Sequence, residues 1–228
     1  MAALRMPGIV VETVEVDHHA VVELALRTGL TTYDASYLWL ARDLAIELVT
    51  LDRQLAGSSG EVPMTEPLTF TFADDGAIPN SKLPLLVYRQ AVPHDPAAIE
   101  RLFTANRWPA AWRDAVHPFH HFHSDAHEVL GVASGHAKVR FGGPSGDVLE
   151  VSAGDVVVVP AGVGHCNEGK SADLLIVGAY PDNTARRDLR RGERSEHDEV
   201  VRNVAAVKLP AADPVSGVEG PLVRIWGG

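Results

Sequence analysis

The sequence predicts a mainly β fold over residues 64–228, an antiparallel sandwich or barrel, with an α/β stretch before it over residues 1–63. Three observations carry that reading. From Leu68 onward, short β-branched runs alternate with Gly, Pro and Asp turns, as short antiparallel strands require. Residues 18–56 instead show helical spacing followed by one short apolar run. Between the two textures lies "AGSSGEVP", a Gly/Ser stretch with a proline that reads as a linker, and Met64 follows it at once.

The elements follow in order. "HHAVVELALRTG" places Val21, Val22, Leu24, Ala25 and Leu26 near a helical stripe that Gly29 ends at a C-cap position. "TYDASYLWLARDLA" opens on Thr31 and Thr32 as caps, and its Tyr37, Leu38, Leu40, Ala41 and Leu44 recur at helical spacing. "IELVTLD" reads as a short strand ending on a carboxylate. Past the linker, "LTFTF", "LPLLVYR", "HEVLGVA", "AKVRFGG", "DVLEVS", "DVVVVP", "LLIVGAY" and "PLVRIW" read as strands. Two helices interrupt them. One is "DPAAIERLFTANRW", with Asp95 as N-cap and Pro96 in the first turn; the other is "SEHDEVVRNVAAV". The arginine-rich "ARRDLRRGER" is interleaved with acids and reads as a solvated loop or helix face.

Bulk properties exclude several functions. The 228 residues suit one large domain or two small ones, and 46% hydrophobic content is enough to bury a core. The net charge is −10, and the acidic excess is shared: residues 1–63 carry 4 basic and 9 acidic groups, and residues 64–228 carry 16 and 21. That is no footprint for nucleic acid. Cys166 is the only cysteine, so no internal disulfide can form. No apolar run approaches the roughly 18 residues needed to span a bilayer. "MAALRMPGIVVETVEVD" turns acidic too early for a secretory signal, so the expected location is the cytoplasm.

The chemistry concentrates in "HPFHHFHSDAHEVLGVASG", residues 117–135, which holds five of the chain's eleven histidines. In an extended strand Phe119, His121 and His123 share one face, with His120 and Phe122 on the other. Two imidazoles at i and i+2 are close enough to chelate one ion. Glu128 opens the next strand and brings a carboxylate back toward them. His165 follows "GDVVVVPAGVGH", where a Pro160/Gly162 turn presents a third imidazole. Three imidazoles and a carboxylate suit divalent Fe, Mn, Ni, Co, Cu or Zn, and the lack of thiolates argues against a structural zinc knuckle. His117, His120 and His127 read as supporting or surface groups, and Asp125 as a turn residue. Cys166, Trp108 and Trp112 read as core or barrel-mouth packing.

These spacings resemble the cupin family. His121-x-His123-x4-Glu128-x6-Gly135 is similar to its first motif, and Gly154-x5-Pro160-x-Gly162-x2-His165 to its second. Gly169 stands where the family often carries Asn. "DDGAIPNSKLPLLVYR" and "LPAADPVSGVEGPLVRIW" resemble the small bacterial YjlB-like cupins. The resemblance covers about residues 64–228. It implies a double-stranded β-helix (jelly-roll) barrel, one divalent metal at His121, His123, Glu128 and His165, and a homodimer paired through strands.

The N-terminal "ALRTGLTTYDASYLWLARDLAIELVTLDRQLA" resembles the C-terminal part of a PIN domain, the nuclease fold of VapC-type toxins. Asp34 and Asp52 match two of its acidic positions. A two-metal nuclease needs further carboxylates from an N-terminal half, so residues 1–63 read as a non-functional fragment. The functional expectation is a metal-dependent cupin enzyme, of oxygenase or isomerase type, acting on a small polar molecule. Its alternatives are a non-catalytic ligand-binding or regulatory cupin and, behind both, a PIN-type ribonuclease. No nucleic-acid or membrane partner is expected, and no residue is singled out as acid or base.

Overall fold

The computed structural model describes residues 14–44, 48 and 66–227, and the chain divides into two compact units, Met1–Val62 and Pro63–Gly228. No helix among the described residues is long and apolar enough to cross a membrane.

In the first unit, helix α1 (His18–Thr28) starts where the Asp17 side chain accepts from the amides of His19 and Ala20. It stops at Gly29, whose φ of 69° suits glycine and whose amide returns to Ala25. Helix α2 (Thr32–Asp43) is capped reciprocally. The Asp34 amide donates to Thr31 Oγ1 at 3.1 Å, and that hydroxyl donates back to Asp34 Oδ2 at 2.6 Å. Asp34 therefore has a structural task in this helix; Asp52, the Gly/Ser linker and, apart from Leu48, the predicted strand "IELVTLD" lie outside the described residues. Val21, Leu24, Ala25, Leu30, Ala35 and Leu38 form a small core. Val22 and Leu26, included in the predicted stripe, are exposed. At 100° per residue they fall on the opposite side of α1 from Val21, Leu24 and Ala25.

Among the described residues, the second unit is built from nine antiparallel strands: β1 (Leu68–Phe70), β2 (Leu85–Tyr88), β3 (Ala110–Asp114), β4 (Glu128–Ser134), β5 (His136–Phe141), β6 (Asp147–Ser152), β7 (Val156–Val159), β8 (His165–Lys170) and β9 (Leu175–Ala179). Three helices accompany them: α3 (Pro96–Ala105), α4 (His197–Ala206) and α5 (Pro221–Gly227). The strands form a six-stranded sheet in the order β1-β2-β7-β4-β9-β3 and a three-stranded sheet in the order β6-β5-β8. The interior between them is one apolar cluster, with Leu85, Val87, Leu130, Val132, Val157, Val159 and Ile176 from the larger sheet and Ala137, Val139, Phe141 and Val151 from the smaller. The larger sheet is covered outside as well: Leu86, Val129, Val156, Val158 and Val177 pack with Ile99 and Phe103 of α3, Trp108, and Leu222 and Trp226 of α5. This explains why β2 and β7 are buried at every position. β5 instead alternates exposed and buried residues, because its outer face meets solvent. The fold is mainly β, as the strand pattern predicts, and a jelly-roll barrel, as the cupin resemblance implies.

Three departures from the sequence reading have physical causes. "PLVRIW" is helix α5, not a strand. Pro221 fits the first turn because it has no amide to donate, the Leu222 amide donates to buried Asp213, and Leu222 and Trp226, four apart, share the face against the sheet. "AWRD", read as cover, is the edge strand β3, and the polar "HCNEGK" is β8. Both sit at sheet edges, where pairing on one side tolerates charged residues. Gly135, the last residue of the first motif, turns β4 into β5 with φ 69°, and a Cβ there would fall 2.4 Å from Ser171 Oγ.

Candidate metal centre

The four predicted donors are carried to one end of the barrel interior. Glu128 opens β4 of the larger sheet and His165 opens β8 of the smaller, so the cluster spans both. His121 lies opposite His165 in an isolated antiparallel bridge: His121 N donates to His165 O at 3.1 Å, and His165 N to His121 O at 2.8 Å. That register brings their ring centres to 4.1 Å, with the planes tilted 56° to each other. His123 is two residues on, and its carbonyl accepts the Gly162 amide at 2.8 Å, so the Pro160/Gly162 turn is tied to the histidine run. The His121 and His123 rings are 6.1 Å apart. Phe122 points the other way into a pocket with Ile78 and Val200, as the period of two requires.

Each imidazole is oriented by a backbone carbonyl. Nδ1 of His121 meets Phe119 O at 3.1 Å, Nδ1 of His165 meets Val163 O at 3.2 Å, and Nδ1 of His123 meets Asp188 O. A carbonyl only accepts, so each Nδ1 carries the proton and Nε2 is left facing the cluster. Glu128 Oε2 lies 3.5 Å from His123 Nε2 and 3.4 Å from His165 Nε2. Its other oxygen accepts from Tyr180 Oη at 2.5 Å and Trp112 Nε1 at 3.3 Å. Trp112 reaches it by lying across Gly178 on β9, where a Cβ would stand 1.9 Å from the indole.

Charge follows from this packing. Burial and the neighbouring His165 push His121 down to about 3, so it stays neutral. Burial opposes charge on His123, but hydrogen bonding and attraction to Glu128, with the Asp188 carbonyl, outweigh it and raise His123 to about 9. Burial likewise opposes the Glu128 anion, and its two histidine partners overcome that and hold it well below the carboxylate range. The protein alone thus places an imidazolium–carboxylate pair where the sequence predicts a metal.

The donors suit a divalent ion in type, and the two separations from Glu128 suit one in length. Ligand atoms about 2.1 Å from an ion sit roughly 3.0–3.4 Å from one another, close to the Nε2–Oε2 separations of 3.4 and 3.5 Å. As they stand, however, no three His, Cys, Asp or Glu side chains among the described residues form a finished metal-holding group. Glu128 is closed onto His123 and His165, and His121 meets His165 ring to ring.

The remaining histidines divide. His117 packs its ring 4.9 Å from His121 and 4.8 Å from Phe119, beside the cluster. His120 turns to the other face of the run, with Nδ1 buried and unpartnered among the described residues. His127 is buried against Trp226 and accepts the Ala161 amide, outside the barrel interior. Asp125 accepts the Asp188 amide in the turn, and Cys166 is buried and free. Two residues at the cluster escaped the sequence reading, Tyr180 and Asp188, and a third, Trp112, reads there only as packing. Tyr180 stands at the end of "LLIVGAY", which was the only hint, since strand ends of β4 and β9 come together. Nothing near Asp188 in the sequence points to His123.

Comparison with known proteins bears on these residues. The family model of the cupin domain matches residues 113–177, which include all four predicted donors. The chain is 41% identical over 162 residues to the uncharacterized protein YjlB of Bacillus subtilis (strain 168), across 71% of this chain and 97% of that protein. Among solved structures, a DUF861 family protein from Thermotoga maritima matches 34% of this chain and 83% of its own at 19% identity and a TM-score of 0.25. A Klebsiella pneumoniae protein with a double-stranded β-helix domain matches 57% and 84% at 17% identity and a TM-score of 0.27. Acireductone dioxygenase from Bacillus anthracis, with a cadmium ion in its active centre, matches 47% and 54% at 20% identity and a TM-score of 0.24.

Proposed function

The chain belongs to the cupin family, and on that premise we propose that His121, His123, Glu128 and His165 hold one divalent transition metal at a site that turns over a small polar molecule, by oxygenase or isomerase chemistry. One observation carries the reading: three imidazoles from two stretches of backbone are each pinned through Nδ1 to a carbonyl, with the anion of Glu128 between the Nε2 atoms of two of them. A neutral, pre-oriented imidazole is what a metal takes as ligand, and a divalent ion there would polarise or activate a bound oxygen species. The chain's own residues prepare the site. Tyr180 and Trp112 donate to Glu128 Oε1 and leave Oε2 for the ion. His123 would release its Nε2 proton to solvent on taking a metal. The apolar interior formed by Leu130, Val139, Phe141 and Val159 excludes bulk water behind the donors.

The test is elemental analysis of the full chain purified without added metal. The expected content is about one transition-metal ion per chain, falling to a trace in His121→Ala/His165→Ala. Full metal content in that double variant would end the reading. Turnover is then sought with the loaded protein, by dioxygen uptake and by isomerisation of small polar substrates.

A further inference from the structure

Residues 185–191, "ARRDLRR", form a strap over the cluster. Asp188 anchors it: its carboxylate accepts from Ser124 N and Ser124 Oγ, both at 2.6 Å, its amide donates to Asp125, and its carbonyl holds His123. Two residues on, Arg190 exchanges backbone bonds with Phe122, and its guanidinium is neutralised by Asp188, Glu196 and Glu199. In extended chain, successive residues face opposite ways. Asp188 and Arg190 face the protein, while Arg187, Leu189 and Arg191 are exposed.

Those two arginines rest on rings rather than on carboxylates. Arg187 Cζ lies 4.7 Å from the Tyr180 ring centre, and Arg191 Cζ lies 3.8 Å from that of Phe119. Each ring touches the donor set: Tyr180 is 5.6 Å from His123, and Phe119 is 5.6 Å from His121. The rings make an arc, Phe119, His121, His123, Tyr180, with a guanidinium at each end. Neither Arg187 nor Arg191 forms an ion pair among the described residues, a condition shared with Arg101, Arg186, Arg194 and Arg202, but these two alone sit on rings beside the donors. In a chain of net charge −10, uncompensated cations beside one site stand out. Arg187 also lines a cavity of about 700 Å³ beside the strap, in which Asp125, Asp188 and Glu199 are already bonded. Stacking on a ring fixes the guanidinium plane and leaves its N–H fork free, and that fork matches the two oxygens of a carboxylate or phosphate.

We propose that the molecule taken by this site is a small organic anion, held by Arg187 and Arg191 at the mouth of the metal centre. The proposal rests on the metal reading above for what lies between the two arginines.

The experiment is calorimetric titration of the full metal-loaded chain at 0.15 M ionic strength with malonate, inorganic phosphate and neutral malonamide. Malonate or phosphate binds and malonamide does not; the stronger of the two probes tells carboxylate from phosphate recognition. Arg187→Gln and Arg191→Gln each weaken the anion about tenfold or more, while elemental analysis shows metal content unchanged. The proposal is overturned if the double variant binds the anions as the parent does, if malonamide binds equally well, or if the loaded parent binds no probe. This last result, with metal content intact, leaves the metal reading standing. A parent without metal refutes the metal reading, and the arginine effect on the anion is still read in the same titration.

Discussion

The two sheets of the barrel share one interior but differ outside it. The six-stranded sheet is sandwiched between that interior and a second apolar layer of α3, Trp108 and α5, while the three-stranded sheet turns its outer face to water. A sheet packed on both faces is held by side chains at every position; a sheet packed on one face depends on alternate residues only. The proposed metal centre lies across this division, with Glu128 on the thick wall and His165 on the thin one. The thick wall carries the carboxylate and the two donors that hold it, Trp112 on β3 and Tyr180 just past β9.

The sharpest way to break that comparison is to hollow out the second layer. Phe103 is fully buried against Gly131 and the outer face of the larger sheet. Phe103→Ala is expected to cost about 3–5 kcal/mol in urea unfolding, and a loss below about 1 kcal/mol would mean the outer layer contributes little. Next comes the grip of the thick wall on Glu128. Tyr180→Phe removes its shorter hydrogen bond and is expected to lower metal affinity about 10- to 100-fold with the fold intact. Unchanged affinity in a competition assay with a chelator would show that Trp112 suffices.

A smaller effect is set by pH. His127 is buried against Trp226 of α5, and burial lowers its imidazole from 6.5 to about 4. The unfolded chain takes up this proton near pH 6.5, and the folded chain refuses it until about pH 4. The contribution of His127 to stability is therefore complete above pH 6.5 and falls as pH drops from 6.5 toward 4. In His127→Gln the decline between those limits is shallower, as pH-dependent urea midpoints would register; identical slopes would place the proton elsewhere. The smallest effect belongs to the thin wall. Val148 on β6 is 41% exposed, so Val148→Ala should change stability by no more than about 0.5 kcal/mol, and a larger loss would reveal an outer layer on that sheet too.

Much of this architecture was legible because local chemistry repeats itself. Gly29 stops α1 and Asp95 starts α3 where their types predict. His121 and His123 were legible as a pair because a period of two puts them on one face. "PLVRIW" misled because Val and Ile favour strands, while the feature that makes it a helix, the bond from Leu222 N to Asp213, joins residues nine apart through a turn. The supports of the centre were illegible for a related reason. Trp112 reaches Glu128 only because Gly178, 66 positions later, leaves room for an indole, and Asp188 reaches His123 with its carbonyl, an atom every residue owns.

That carbonyl has a consequence for biosynthesis. A nascent chain extended to His165 already contains all four donors, yet nothing has arrived to set the ring of His123, because residue 188 is still to be translated. The carbonyl that sets His123 is therefore made only after the last strand, β9, is complete. In the order of synthesis the strap thus follows all nine strands and precedes α4 and α5.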